Sequence, residues 1–595
     1  MKNRDVVKTP EWINDLIVYE IATKGFTSPD GPESGTFKSL KSKMEYLHEL
    51  GITGIWLAGN QLCHPTHFYN IWNQYACLRP DKLDPTLGTT EDFKEMIDEA
   101  HHFGIKVFLD VITHGVISDS SLVKEKPHWF KGGSWNMTDY DWFGNHKDLD
   151  EWWVNTWFGY VKDFGIDGFR LDVTAYRYDL WSIIRKKTKD IGHEIIIIHE
   201  LWPGKTGATD FLQTNTRLDQ FKGLLRKNHG LFKDLAGFMR EKAEKQNTEY
   251  KVRIIYEDGT ISQSHTGDEN ALGVKYEGSF KEIKTDQDQS YTYIEHRASL
   301  CIENVSIGKK ISDIVVMTGE SIVLEGLGEY YEFEWYEDIN APIKTDRQLR
   351  REGEAPTLKV SFPLPLQDGQ YFNIQLSSHD CGWEGFPLDK NPYMAQGSRF
   401  VFGYGLMLAP AVPIFMSGEE FDANFVPLPG LSPKLFGGED PGKGTWLYGS
   451  WVQWDQLKIK TKFEMLQDVK RMIRIRRQEE GLIHPICMGE SINTLLKVEY
   501  ESDLDLPAPY MYYGTGKMVM IAGNPNTDFD AKARFKMPED VMKELKSDDS
   551  IKVIDLWNEK EIGLMNIREF EDMEWTILKD KSAHGGLLVL KIEKA

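Results

Sequence analysis

Four short runs in this chain end on residues that can move protons or attack a bond. They are DVITH (110–114), GFRLD (168–172), IIIIHE (195–200) and IQLSSHD (374–380). Each belongs to an apolar, strand-like run that ends on or near a carboxylate, with histidine close to three of them. The closing residues are Asp110 with His114, Arg170 with Asp172, Glu200, and His379 with Asp380. In a parallel α/β architecture, function gathers at the C-terminal ends of the strands. Any one of these acids taken alone would be read as a solvated surface group; the repetition of the set is what calls for chemistry. Converging carboxylates serve either a metal site of hard oxygen ligands or glycoside cleavage, in which one carboxylate attacks and another protonates the leaving oxygen. The accompanying residues favour sugar. Histidine and arginine can bind hydroxyls and hold a nucleophilic carboxylate ionised. Tyr69, Trp202 and Trp383 are candidate stacking faces for a sugar ring.

These residues need a scaffold, and the first half of the chain supplies alternating strands and helices. Phe37, Leu40, Met44 and Leu47 fall at helical spacing, stopped by Gly51, before the apolar run 52–57. Thr89-Thr90-Glu91-Asp92 reads as a helix cap ahead of Phe93, Met96, Ile97 and Ala100. The runs at 105–110, 194–200, 371–376 and 412–416 read as buried parallel strands. Repeated units of this kind fit a doubly wound sheet or a (β/α)8 barrel. Between about 246 and 365 the helical period gives way to short alternating runs punctuated by DG, TG and GLG, which predicts an all-β insertion. From about His484 the chain is β-rich again.

The four blocks, in this order, resemble the α-amylase family, glycoside hydrolase family 13. DVITH resembles its first signature block, GFRLDVTAY its second, HELW its third and SSHD its fourth. The flanks agree: VYEIATKGF, GTFKSLKSKMEYLHELGITGIWL, DPTLGTTEDFKEMIDEAHHFGIKVFLDV and PAVPIFMSGEEF resemble the family's barrel segments. The resemblance covers most of residues 11–246 and 366–595 and is closest in feel to intracellular α-glucosidase and neopullulanase-like members. It implies an α/β fold: a (β/α)8 TIM barrel from residues 1–114, 151–246 and 366–482, with a small domain B excursion at 115–150. The resemblance further implies a C-terminal antiparallel β-sandwich domain at 483–595, whereas the β-rich insertion domain at 247–365, before strand 7, rests on the alternating runs and is left unexplained by the resemblance.

By the same resemblance Asp172 is the nucleophile, Glu200 the acid/base and Asp380 the transition-state stabiliser. Arg170 orients and ionises Asp172, His114 and His379 bind the sugar being cleaved, Tyr69 stacks under it, and Asp110 braces the site. Trp202 and Trp383 would line subsites. The family retains α-configuration, which places the two working carboxyls about 5–5.5 Å apart. Departures shape the reading further. Thr113 stands where the family commonly has a calcium-binding Asn, which argues against a structural calcium; no cofactor is required. Ser378 replaces another Asn, Ala175-Tyr176 stand where endo-amylases often have Lys-His, and Phe68-Tyr69-Asn70 replaces Gly-Tyr-Asp. Val173 after the nucleophile resembles oligo-1,6-glucosidase and neopullulanase-like relatives. The expectation is a hydrolase of α-glucosidic bonds in short oligosaccharides. A transglycosylase of the same family, a catalytically silent carbohydrate-binding relative and a metal-dependent hydrolase are the alternatives.

Composition sets the remaining bounds. The chain of 595 residues carries a formal charge of −22, with 41% hydrophobic and 27% charged residues. This is ordinary globular composition, which excludes disorder as the main description and argues against a nucleic-acid partner. Aromatic residues reach 12%, which suits sugar faces and large cores alike. No 18-residue apolar stretch and no signal-like N-terminus are found, so neither membrane nor secretion is expected. The five cysteines are widely spaced without a CxxC pair, as expected of reduced thiols in the cytoplasm. The insertion could bind sugar, cap the cleft or mediate a homodimer.

Overall fold

The computed structural model describes residues 7–64 and 75–200 apart from 32, 134–135, 143, 145 and 174. It also describes 208–212, the strands between 250 and 361, 369–375, 379, 399–407, 411–423, 426–427, 450–485, 487, and 495–595 apart from 505, 508 and 515. Backbone contacts divide the chain into two units. One comprises Met1–Val6, Leu201–Lys205 and Glu241–Gln367, and the other holds the rest.

Eight parallel strands close a barrel in the larger unit: β1 (Val18–Ala22), β2 (Gly54–Ala58), β3 (Lys106–Ile112), β4 (Gly168–Asp172), β5 (Ile196–His199), β6 (Phe211–Leu212), β7 (Tyr371–Gln375) and β8 (Ala411–Met416). The ring shuts where β8 pairs with β1, Val18 opposite Ile414. Helices α1 (Phe37–Lys41), α2 (Met44–Leu50), α3 (Thr90–His102), α4 (Lys147–Phe164), α5 (Tyr178–Asp190), α6 (Arg399–Leu406) and α7 (Lys460–Gln478) connect the strands. Their boundaries follow local chemistry. The Thr89 side chain accepts from the Asp92 N–H while Asp92 reaches back to the Thr89 N–H, so α3 starts there. Phe93, Met96, Ile97 and Ala100 form its buried face, as their spacing predicts. Gly51 and Gly165 close α2 and α4 in the left-handed conformation.

Strand alternation decides what lines the barrel. A short 3-10 turn, Glu11–Asp15, brings Ile13 beneath the strands, where it packs with Leu16, Val18, Trp56, Phe108, Ile196, Ile198, Val412 and Ile414. Two residues onward from Val18, Phe108 and Ile198 stand Glu20, Asp110 and Glu200. The same side chains that pack the floor thus give way, one pleat higher, to carboxylates. The register sets Asp110 directly opposite Arg170.

After β3 the chain makes a three-stranded excursion, Gly115–Ile117, Phe130–Lys131 and Met137–Tyr140. Trp129, Tyr140 and Trp142 are buried there, and Trp142 meets Trp153 of α4 edge-on at 4.9 Å. These three rings serve as core; Trp135 and Phe143 lie outside the described residues. Between β2 and α3, strands Gln61–Cys63 and Cys77–Leu83 form a hairpin whose register sets Cys63 opposite Cys77, both buried. Wide sequence spacing had concealed that juxtaposition.

The smaller unit is antiparallel throughout its described strands. Tyr250–Tyr256 lies between Ile261–His265 and Arg297–Asn304, and Glu329–Tyr336 between Ser321–Gly326 and Thr357–Ser361. Beyond α7, a six-stranded and a three-stranded antiparallel sheet enclose one core that includes Met511, Phe535, Val553, Trp575 and Leu590. No described helix is long and apolar enough to cross a membrane.

A buried ion pair joins this C-terminal region to the barrel. Arg399 donates through Nε to Asp468, and Asp468 also accepts from the His584 backbone at 3.2 Å. Arg399 and Asp468 are almost wholly enclosed. Removing one partner of such a pair strands the other charge away from water. Asp468→Ala is therefore expected to cost about 3–5 kcal/mol, read as a lowered urea midpoint.

Candidate functional site

Arg170 lies at the centre of the upper barrel, fully buried. Its Nη1 donates to Asp172 Oδ1 at 2.8 Å and to Asp110 Oδ1 at 3.1 Å, and its Nη2 lies 2.8 Å from Glu200 Oε2. One guanidinium thus joins three carboxylates from β3, β4 and the end of β5. The indole of Trp56 closes one face, 4.8 Å from Arg170 Cζ, and donates through Nε1 to Asp110 Oδ2 at 3.0 Å. Burial alone would weaken the guanidinium charge, but Asp110, Glu200 and Asp172 more than reverse this and hold its pKa well above the ordinary value.

The carboxylates diverge in character. Burial pushes Asp172 upward, but the His114 and Arg170 donors overcome it and keep Asp172 below the usual carboxylate range. An ionised Asp172 is what a nucleophile requires. For Asp110 burial prevails, and its pKa is raised despite Arg170. His114 stands 3.5 Å from both Asp172 Oδ2 and Asp139 Oδ1. Burial would depress the imidazole, yet these two carboxylates raise it to about 9.

His379 enters from the far side of the ring. Its Nδ1 bonds Glu20 of β1, and its Nε2 lies 2.9 Å from the Tyr75 hydroxyl. Tyr75 in turn donates to Asp110 Oδ2 at 2.8 Å and stacks on the His379 ring. A polar chain therefore runs from Glu20 through His379 and Tyr75 to Asp110. Residues from β1, β3, β4 and the segments after β5 and β7 meet at one end of the barrel.

Comparison with known proteins places this arrangement. Residues 20–148 match the family described as alpha amylase, catalytic domain. A maltogenic alpha-amylase of Bacillus acidopullulyticus is 27% identical over 242 residues, covering 33% of this chain and 40% of the relative. A cyclomaltodextrinase of Thermoanaerobacter pseudethanolicus is 26% identical over 243 residues, 33% of this chain and 41% of the relative. The chain thus matches about two-fifths of the length of these relatives. Among solved structures, a noncanonic maltogenic alpha-amylase from Thermotoga neapolitana superposes with a TM-score of 0.55 at 14% identity, over 97% of this chain and 98% of that one. An alpha-amylase from Geobacillus thermoleovorans, complexed with acarbose, gives 0.56 at 14% identity, over 98% and 100%. Residues 20–148 therefore resemble an alpha amylase catalytic domain, and the chain shares the fold of solved alpha-amylases.

Six of the residues picked out by sequence are brought together: Asp110, His114, Arg170, Asp172, Glu200 and His379. Tyr69, Trp202, Asp380 and Trp383 lie outside the described residues. Sequence reasoning missed Glu20, Trp56 and Tyr75. Glu20 and Trp56 had a signal, since each is an inward position within an apolar strand and the register sets them side by side. Tyr75 had none, because the hairpin carries it to Asp110 from a segment with no periodic pattern. Thr113, noted only for replacing an Asn, donates its hydroxyl to the Asp172 carbonyl.

The raised pKa of His114 has a direct consequence for stability. A histidine held above its ordinary value near 6.5 contributes stability that is complete below about pH 6.5 and is lost as pH rises through the folded value. With that value at about 9, His114→Gln is expected to lower the thermal midpoint at pH 6 and to match the unmodified protein by about pH 10. Thermal melts across that range check it.

Proposed function

We propose that this protein is an α-retaining glycoside hydrolase that cleaves α-glucosidic bonds in short oligosaccharides through a covalent glycosyl-enzyme intermediate. The observation that carries the reading is the single Arg170 guanidinium holding Asp172 and Glu200, each at 2.8 Å. A retaining pair of carboxyls stands about 5–5.5 Å apart, and one guanidinium bound by both is a means of holding them close together. Asp172, ionised by His114 and Arg170, attacks the anomeric carbon. Glu200 gives a proton to the departing glycosidic oxygen, then takes one from the water that releases the sugar. Asp380 stabilises the transition state, a role that rests on the family resemblance. His114 and His379 bind hydroxyls of the cleaved sugar. Tyr75 stands with His379 beside Asp110, and stacking under the sugar is the role the resemblance gives to Tyr69.

The substrate class draws on the relatives, whose names include maltogenic amylase and cyclomaltodextrinase, and on the departures from the endo-amylase pattern at Ala175-Tyr176. An intracellular setting belongs to the same proposal and draws on a relative named intracellular maltogenic amylase, from Bacillus subtilis.

The test is product analysis with maltotriose, isomaltose, panose and cyclodextrin, following the anomer released by NMR. Release of the α-anomer, with turnover falling more than about 10³-fold in Asp172→Asn, is the expected result. Initial β-anomer, or an active Asp172→Asn, overturns the mechanism. Chain lengthening of maltotriose would move the assignment to a transglycosylase.

A further inference from the structure

The peptide group between Asp172 and Val173 is held at both ends. Its carbonyl oxygen, on Asp172, accepts from the Thr113 hydroxyl. Its N–H, on Val173, donates to Glu200 Oε2 at 2.7 Å. That oxygen is the one facing Arg170 Nη2. Val173 adopts φ of +64°, a left-handed conformation that a β-branched residue avoids unless its surroundings impose it. The strain has an identifiable purpose: it turns the N–H following the nucleophile toward the carboxyl of the next strand. Thr113 is itself anchored, since its carbonyl accepts from Trp142 Nε1 at 2.9 Å. Trp142 belongs to the excursion after β3 and is buried.

We propose that Thr113 is a positioning residue for Glu200, acting through the Asp172–Val173 peptide. The hydroxyl fixes the plane of that peptide, and the plane aims the Val173 N–H so that Glu200 presents its carboxyl to the glycosidic oxygen. Thr113 touches neither sugar nor the attacking oxygen in this scheme. The inference rests on Glu200 being the acid/base and adds how that carboxyl is oriented. It also gives the Thr at this position a task of its own, through the proton its hydroxyl donates to the Asp172 carbonyl.

A leaving-group comparison isolates the effect. Fluoride departs without a proton, whereas the oxygen of a glycosidic bond needs one, so only the second reaction depends on Glu200 as an acid. The second-order constant kcat/KM for each substrate reports the glycosylation step. Thr113→Val keeps the shape of the side chain and removes its hydroxyl. With maltotriose, kcat/KM is expected to fall about tenfold, while with α-maltosyl fluoride it stays within about twofold. Thr113→Ser, which restores a hydroxyl, should recover most of the loss. Trp142→Phe, which removes the anchoring N–H, should show the same selective loss at smaller size, and it carries the test if Thr113→Val does not fold.

Equal losses on both substrates, or none on either, would overturn the positioning role. If the unmodified protein is inert on both substrates, or Asp172→Asn remains active on them, the failure lies with the glycosidase reading beneath it. The two failures are therefore told apart by the parent enzyme.

Discussion

A guanidinium enclosed on every side is costly to bury, and the protein keeps Arg170 charged by surrounding it with Asp110, Asp172 and Glu200. The arrangement works in both directions. The three acids stabilise the cation, and the cation lets three acids share one small volume. Without it the carboxylates would repel one another and protonate in succession. Trp56 adds a polarisable face and a donor to the same knot. The upper barrel is thus organised around one side chain whose charge fixes where the acids can stand.

Period-two alternation and parallel register supply the positions. In β3 and β5 an apolar residue faces inward at the floor and an acid faces inward one pleat higher, at or just past the strand end. Gly168 permits the close approach of β4 to β5, since a Cβ there would lie 2.1 Å from the Ile196 carbonyl oxygen. The first residue of GFRLD is therefore part of the site's construction, although it carries no chemistry. The surrounding acids then acquire distinct properties from burial and partners alone: Asp172 is kept ionised, while Asp110, beside the same arginine, is pushed the other way.

Much of this was legible in the sequence, and the reasons differ by element. Apolar faces at helical spacing located α2 and α3, because a left-handed glycine ends the first and a capping box starts the second. The strand-end rule found Asp110, Arg170, Asp172, Glu200 and His379, because each lies near the C-terminal end of a strand-like run. Glu20 escaped it because its run, VYEIA, ends on no residue that could do chemistry, and only the closed ring brings β1 beside His379. Tyr75 escaped because a hairpin, rather than a periodic element, delivers it. The role of Val173 could not be read at all: a valine in left-handed backbone leaves no mark on composition or spacing. The β character of the stretch after 246 was plain from alternating residues, whereas its pairing order depends on long-range contacts.

The order in which this site can come together during synthesis follows from its connectivity. Asp110, His114, Arg170, Asp172 and Glu200 all lie within the first 200 residues and contact one another through neighbouring parallel strands. His379 meets Glu20 across a separation of 359 positions, and β8 must return to β1 before the ring is shut. Contacts that distant carry a large loop-closure entropy and form late. The acids that would do the work can thus be gathered early on a nascent half-barrel. The completed pocket waits for a segment made after the whole β-rich insertion has left the ribosome.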